Sequence, residues 1–244
     1  MSTTRPALVL PLLLAASACA ENSVRVPGRT VEGSGSSAVE TREVSGFRKV
    51  AYSLPGELTI VRGDAGEVRI EADDNLVPRI ETRVRNGVLE IGSGGSTLRP
   101  SGPLRVRLTT PALEGVIATG AGSVDAPGLR GEEVSVTLAG SGDVRAHDLE
   151  TARLRVDVAG SGNAVLSGRA SRQVLTIAGS GDVDAVEVAS DAVEATIAGS
   201  GSARVHARER IRANLVGSGS VLYRGDPEIS TTRVGSGTVT RLEP

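Results

Sequence analysis

Over its second half the chain repeats one arrangement of apolar and polar positions. In VSVTLAGSGDVRAHDL (Val134–Leu149) apolar side chains stand at alternate residues, stop at Gly140-Ser141-Gly142, then resume. The Gly-x-Gly pair recurs at Gly120/Gly122, Gly140/Gly142, Gly160/Gly162, Gly179/Gly181, Gly199/Gly201, Gly217/Gly219 and Gly235/Gly237, in steps of 20, 20, 19, 20, 18 and 18 residues. With the first glycine of each pair as position 0, positions −4 and −2 are apolar: Val136/Leu138, Val156/Val158, Leu175/Ile177, Ala195/Ile197 and Ala213/Leu215. Positions +4 and +6 are mostly apolar too: Val144/Ala146, Ala164/Leu166, Val183/Ala185, Ala203/Val205 and Val221/Tyr223. A period of two with one apolar face predicts strands. Both glycines share the apolar parity. Each repeat therefore has two inward positions without a side chain, as a sharp bend or a close backbone approach requires. Both glycines of every pair are expected to be structural turn residues.

A unit of about twenty residues cannot bury its apolar face alone, whereas stacked units can. The pattern predicts an all-β chain, a right-handed parallel β-helix with one coil per repeat and coils about 4.8 Å apart. Twenty residues give a perimeter of about 65 Å, enough for two or three short sides. A left-handed hexapeptide coil would need an aliphatic residue every six, and the repeats lack one. Upstream, SGFRKVAYSL, GELTIVRG, EVRIEADD and RIETRVRNGVLEIG read as alternating strands, with Asn86-Gly87 as a hairpin turn. GSGGSTLRPSGP (Gly92–Pro103) reads as a loop. Residues 30–244 are expected to form a single solenoid domain, irregular over 30–110 and regular over 111–244. Two domains meeting near Pro100 are the alternative.

Composition changes this picture in two ways. The 244 residues include 31 glycines, one phenylalanine, two tyrosines and no tryptophan, so the core must be a thin aliphatic one. Net charge is −2 with the charges interspersed, which leaves no electrostatic footprint for nucleic acid. Residues 1–18 carry the marks of an export signal: Arg5, then the short apolar run ALVLPLLLAA. Ten helical residues span about 15 Å, half of a bilayer core of roughly 30 Å, so this run is not a membrane span. ASAC (Ala16–Cys19) is similar to a bacterial lipobox, with Ala16 where leucine is usual. Cys19 is the only cysteine, and its lipidation would anchor the mature chain to a membrane through a linker over 19–29. Ala16-Ser17-Ala18 also fits ordinary signal peptidase, which would release a secreted or periplasmic protein. In a Gram-negative envelope, Ala20 after the cysteine would not hold a lipoprotein at the inner membrane, leaving the outer membrane or a periplasmic face.

VEGSGSSAVETREVSGF (Val31–Phe47), VRIEADDNLVPRIETRVRNGVLEI (Val68–Ile91) and the serial AGSGDV-type repeats together resemble the autotransporter-adhesin "head GIN" domain of bacterial envelope proteins. The resemblance covers Thr30 to about Arg241. It implies a right-handed parallel β-helix in an exported, often lipid-anchored protein, with no catalytic residues and no established ligand. The last repeat departs from the pattern. Thr231 and Arg233 take its inward −4 and −2 positions, as in a terminal capping coil.

Several candidate chemistries fall to the spacing. A dinucleotide loop would open a helix, whereas each AGSG runs on into alternating residues. Calcium-binding nonapeptide repeats are absent. Asp143 and Asp182 lie two coils apart, about 9.6 Å, near the upper limit for an inverting glycosidase pair. His147 and His206 lie three coils apart, about 14 Å, too far to share a metal. Only Tyr52 and Tyr223 could offer an aromatic stacking platform. No catalytic residue, metal or cofactor is therefore expected. The outward residues of the turns form a stripe of small side chains at +1 and +3: Ser141, Asp143, Ser161, Asn163, Ser180, Asp182, Ser200, Ser202, Ser218 and Ser220. Alanines at −1 flank it. Two readings stand: the side chains hydrogen-bond the turn backbone, or the stripe docks another subunit, an envelope protein or a glycan. The expected function is a non-enzymatic cell-envelope module, structural or adhesive. A polysaccharide-active enzyme on a right-handed β-helix is the alternative, as is a scaffold or sensor subunit of an envelope-stress system.

Overall fold

The computed structural model describes residues 29–243. The expected export signal and Cys19 lie outside them, as does most of the linker. The chain forms a β-solenoid of about six turns with coils of roughly twenty residues. Its irregular part comprises β1 (Thr30–Glu32), β2 (Ser37–Glu43), β3 (Lys49–Tyr52), β4 (Glu57–Arg62), β5 (Glu67–Asp73), β6 (Glu81–Arg85), β7 (Val88–Gly92), β8 (Thr97–Arg99) and β9 (Arg105–Thr110). The regular part runs through β10 (Gly115–Gly120), β11 (Ser123–Asp125), β12 (Arg130–Gly140), β13 (Asp143–Gly160), β14 (Asn163–Gly179), β15 (Asp182–Gly199), β16 (Ser202–Gly217), β17 (Ser220–Arg224), β18 (Glu228–Gly235) and β19 (Thr238–Arg241).

Pairing from β10 upward is parallel, and it is in register at the Gly-x-Gly corners. Gly120, Gly140, Gly160, Gly179, Gly199, Gly217 and Gly235 stand one above another. The inward parity read from the repeats is the buried parity. Val136, Leu138, Val144 and Ala146 are at most 1% exposed, and the same positions are buried in the coils from 143 to 215. Burial of each such Val or Leu contributes about 1.5–3 kcal/mol, which is how short strands stacked singly acquire a core.

Both glycines of a corner such as Gly160/Gly162 lie against the backbone of the coil below, and the first adds a positive φ. Position 0 has a positive φ, +124° at Gly160 and +127° at Gly179, a conformation that L side chains rarely adopt. Position +2 meets the other requirement of a corner, a close approach to the backbone of the coil below. Gly122, Gly142, Gly162, Gly181, Gly201, Gly219 and Gly237 have no positive φ, so their conformation is open to other residues. What they lack is room. A Cβ at Gly162, Gly181 or Gly201 would collide with the carbonyl oxygen of Gly142, Gly162 or Gly181 in the coil below, and would lie 2.8 Å from Leu138 Cδ2, 2.8 Å from Val158 Cγ1 and 2.9 Å from Ile177 Cγ2 respectively. The −2 aliphatic of one coil thus fills the space left by the +2 glycine of the next. The remaining corners are marked by slips in the buried parity rather than by a motif: after Ala146 burial resumes at Leu149, and after Thr151 at Leu154. Asp148, with φ 56°, and Gly168, with φ 136°, turn the first of these slips in their coils.

Stacking order departs from chain order at the lower end. β3 pairs in parallel with both β7 and β10, and β4 with both β9 and β11. The coil made of 49–62 therefore lies between the coil of 88–110 and that of 115–125. Below it the sheet turns antiparallel, β5 on β9 and β2 on β5 on one side, β6 on β7 on the other. Asn86 and Gly87, both at positive φ, make the expected hairpin turn between β6 and β7. The stretch Gly92–Pro103, read as a loop, is corrected. It contains β8, which pairs with β1, a contact 67 residues apart in sequence that local pattern does not encode.

Two polar clamps hold this lower end. Arg42 donates from Nη1 to the Ile80 carbonyl (2.6 Å) and from Nη2 to that of Val77 (3.3 Å), fastening β2 over the 3-10 turn Val77–Arg79. Asp73, 3% exposed, accepts from the Gly35 N–H (2.7 Å) and the Ser101 N–H (3.0 Å). Burial opposes its ionisation. The N–H groups of Gly35, Ser101, Gly102 and its own backbone outweigh that and hold the carboxyl below its ordinary range.

Two outcomes follow for stability. Gly179→Ala places a Cβ against the Gly160 carbonyl oxygen at a positive φ and is expected to destabilise by about 2–3 kcal/mol in urea unfolding. The lowered Asp73 carboxyl contributes stability that is present above the ordinary carboxylate range and lost as pH falls through its folded value. Asp73→Ala is expected to lower the urea midpoint at neutral pH and to flatten its decline on acidification.

Candidate functional site

The candidate site is the edge of the solenoid at the Gly-Ser-Gly corner, built coil by coil. The position 0 carbonyl of each coil accepts two N–H groups from the coil above, as Gly120 does from Ser141 (2.9 Å) and Gly142 (3.1 Å). Gly140, Gly160, Gly179, Gly199 and Gly217 repeat this contact; at Gly160 the donors are Ser180 (2.9 Å) and Gly181 (3.0 Å). The backbone alone ties the corner together. The +1 side chain is turned outward with no structural task, and Ser141, Ser161, Ser180, Ser200 and Ser218 are all exposed.

The +3 residues behave differently. Asn163 Nδ2 donates to Asp143 Oδ1 (3.1 Å), the Ser202 N–H to Asp182 Oδ1 (2.8 Å), and Thr238 Oγ1 to Ser220 Oγ (3.2 Å). These +3 contacts run between neighbouring coils, two of them side chain to side chain and one, at Asp182, to a backbone N–H, whereas the +1 serines are exposed. The −1 column holds more than the alanines noted from the repeats. Above Ala159, Ala178 and Ala198 it continues with Val216, 56% exposed, and Val234, 66% exposed, so its upper end is an apolar ridge. Valine in an outward slot is visible in the sequence at both positions, since the aligned alanines mark that slot as surface.

The carboxylates considered for catalysis are occupied by these turn contacts. Asp143 and Asp182 are each aligned with Asn163 on adjacent coils, all on one open side. His147 lies 3.1 Å from Asp148 and 3.6 Å from Asp125, exposed and far along the axis from His206, which is aligned with Arg224. Among the described residues no group of three or more His, Cys, Asp or Glu is placed to hold a metal ion. The aromatic platform is corrected at Tyr52. Its ring is 1% exposed, occupying the space beneath Gly122, and burial pushes its phenol far above the ordinary value. Tyr223 is half-buried against the core.

With this geometry in view the relatives are informative. The family model described as "Putative auto-transporter adhesin, head GIN domain" matches residues 46–227. The chain belongs to that family. A crystal structure described as a putative adhesin, from Bacteroides fragilis, is 27% identical and superposes with a TM-score of 0.81, covering 87% of this chain and all of that one. A protein described as a putative lipid binding protein from Parabacteroides distasonis (24% identity, TM-score 0.74) covers 88% of this chain and is itself fully covered. So is a putative adhesin from Parabacteroides merdae, at 24% identity and a TM-score of 0.69. These last two share the fold. No curated protein matches the chain. Membership in the head GIN family and the solenoid fold support an adhesin-like, non-enzymatic module of the cell surface or envelope.

The division of labour between +1 and +3 has a measurable consequence. Asp182→Ala removes the acceptor for the Ser202 N–H and is expected to cost about 0.5–1.5 kcal/mol in chemical unfolding. Ser180→Ala, at the same corner, is expected to leave the unfolding midpoint unchanged.

Proposed function

We propose that this head GIN chain is a lipid-anchored envelope adhesin whose Gly-Ser-Gly edge binds an extended, repeating glycan of the envelope, without turning it over. The observation that carries the reading is the row of exposed +1 serines, one per coil about 4.8 Å apart, beside an exposed apolar −1 column. Such a surface offers hydroxyls for a sugar's polar edge and alanine or valine methyls for its C–H faces. Its arrangement is linear, so its natural complement is a linear chain. The carboxylates nearest the edge are held by neighbouring coils rather than poised as an acid and a base, which supports binding over catalysis. The described chain begins at the antiparallel lower end, and the apolar ridge of Val216 and Val234 lies toward the upper end. From β2 to β19 the stack is about 48 Å long. Lipidation at Cys19 would therefore place the ridge away from the membrane.

Replacing Ser161, Ser180 and Ser200 together by arginine tests the edge. The triple variant is expected to keep the wild-type circular dichroism and unfolding midpoint and to lose at least tenfold in affinity for purified envelope polysaccharide. Undiminished polysaccharide binding by a folded triple variant overturns the reading. A change of oligomeric state in place of a change in glycan binding would give the edge to a second copy instead.

A further inference from the structure

The outward residues at the lower end form columns across β2, β5, β9 and β4. One column reads Val39, Glu71, Arg105, Glu57, in which the charges alternate in sign. Arg105 lies 3.9 Å from Glu71. The next column reads Thr41, Arg69, Arg107, Thr59. Here two arginines stand directly opposite one another on adjacent antiparallel strands, an arrangement that like charges destabilise. Both are exposed, and among the described residues neither is in an ion pair. Glu67 and Glu71 flank Arg69 along its own strand without contacting it.

Arg69, Arg105, Arg107 and Thr59 share an open depression of about 370 Å³ with Glu71 and Val106. Packing does not require this pairing, because both side chains point away from the core that Val68, Ile70, Val106 and Leu108 fill. Two arginines opposite one another, with Thr59 lining the same depression, supply several N–H and O–H donors on one face, and a tetrahedral oxoanion accepts several at once.

We propose that the Arg69–Arg107 pair is an oxoanion-binding site for a phosphate group, with the two guanidinium groups neutralising its charge and Thr59 donating a further hydrogen bond. The site is on the face formed by β5, β9 and β4, well below the Ser161–Ser200 edge, and does not depend on the glycan reading. A phosphate group could belong to a lipid headgroup or to a soluble molecule, and both present the same chemistry to the pair.

Thermal unfolding of the wild-type chain in sodium phosphate, against sodium chloride of equal ionic strength, reads the site directly. Saturating phosphate is expected to raise the midpoint by about 2–6 °C. The double variant Arg69→Gln/Arg107→Gln is expected to fold, to have at least the wild-type midpoint in chloride because the like-charge pair is gone, and to gain nothing from phosphate. Arg210→Gln/Arg212→Gln, two exposed arginines of the upper coils, is expected to respond to phosphate as wild type does. Co-sedimentation with phosphatidylcholine vesicles, with and without phosphatidic acid, then separates the sources. Phosphatidic acid-dependent binding lost in the Arg69/Arg107 variant assigns the phosphate to a lipid headgroup. A phosphate response without vesicle binding assigns it to a soluble molecule. A wild-type midpoint that rises no more in phosphate than in chloride overturns the site, as does an equal rise in the double variant.

Discussion

One contact governs this molecule: the carbonyl of each corner glycine receives two N–H groups from the coil stacked on it, as Gly140 does from Ser161 and Gly162 at 3.0 and 3.1 Å. Two main chains come together there with nothing between them. That approach excludes a Cβ at position 0 from Gly140 upward, where it would meet the position 0 carbonyl of the coil below, and the accompanying turn needs a positive φ. It also brings the +2 backbone over the −2 side chain of the coil below, so Leu138, Val158 and Ile177 occupy the space that side chains at Gly162, Gly181 and Gly201 would claim. The thin aliphatic core follows from the same contact. Coils drawn this close admit valine, leucine and alanine on every level. A large ring is fully buried only at an irregular level, where Tyr52 lies under Gly122 opposite the small Ala118.

A stack in which each coil supports only its neighbours is vulnerable at its ends. The two ends are protected differently. The lower end exchanges parallel for antiparallel pairing and is fastened by Arg42 and by the buried carboxylate of Asp73. Among the described residues the upper end has no added element. Outward residues such as Ser220 and Thr238 send their N–H groups down to Gly201 and Gly219. The inward residues of the last coil therefore direct theirs upward, where no further coil follows among the described residues. Thr231 and Arg233 stand there, with Arg233 Nη1 donating to the Gly237 carbonyl at 3.0 Å. An inward charge on an exposed strand edge opposes edge-to-edge growth. The solenoid can thus end without recruiting another copy onto its last coil.

Much of this was readable before any coordinates, because it is local. Alternation around each Gly-Ser-Gly specified which side chains are buried in the coils from Gly115 to Leu215. Even spacing specified that the glycines stack, and polar residues at Thr231 and Arg233 marked the last coil. What escaped was non-local or carried by single residues. Parity placed both glycines of a pair inward but could not tell Gly179, which has a positive φ, from Gly181, which does not, because both lie against the backbone of the coil below. The insertion of the 49–62 coil between those of 88–110 and 115–125 is a matter of pairing partners, and periodicity is blind to partners. The pairing of β8 with β1 is hidden for the same reason. Asp148 turns a corner where other coils use Gly128 or Gly168, so no shared motif announces it. At the candidate edge, the sequence located the stripe but could not divide it. That +1 is free and +3 is tied depends on which backbone N–H groups the corner carbonyl already satisfies.

This division bears on how such a fold can serve recognition. In most binding sites the residues that touch a ligand also hold the site in shape, so changing one changes both. Here the +1 backbone N–H carries the structural load and the +1 side chain carries none, because the glycines on either side supply the turn and the close approach. Any residue could stand at +1 at little cost to the stack, including the arginine and glutamate that the other outward columns hold freely. Yet the column is serine from Ser141 through Ser236, and its −1 neighbours are alanine or valine from Ala139 to Val234. Arginine stands further back on the same outward side, at Arg155 and Arg212, and stops short of the edge. Folding does not impose that restriction. A smooth, uncharged strip along the axis is what the proposed contact with an extended glycan would require.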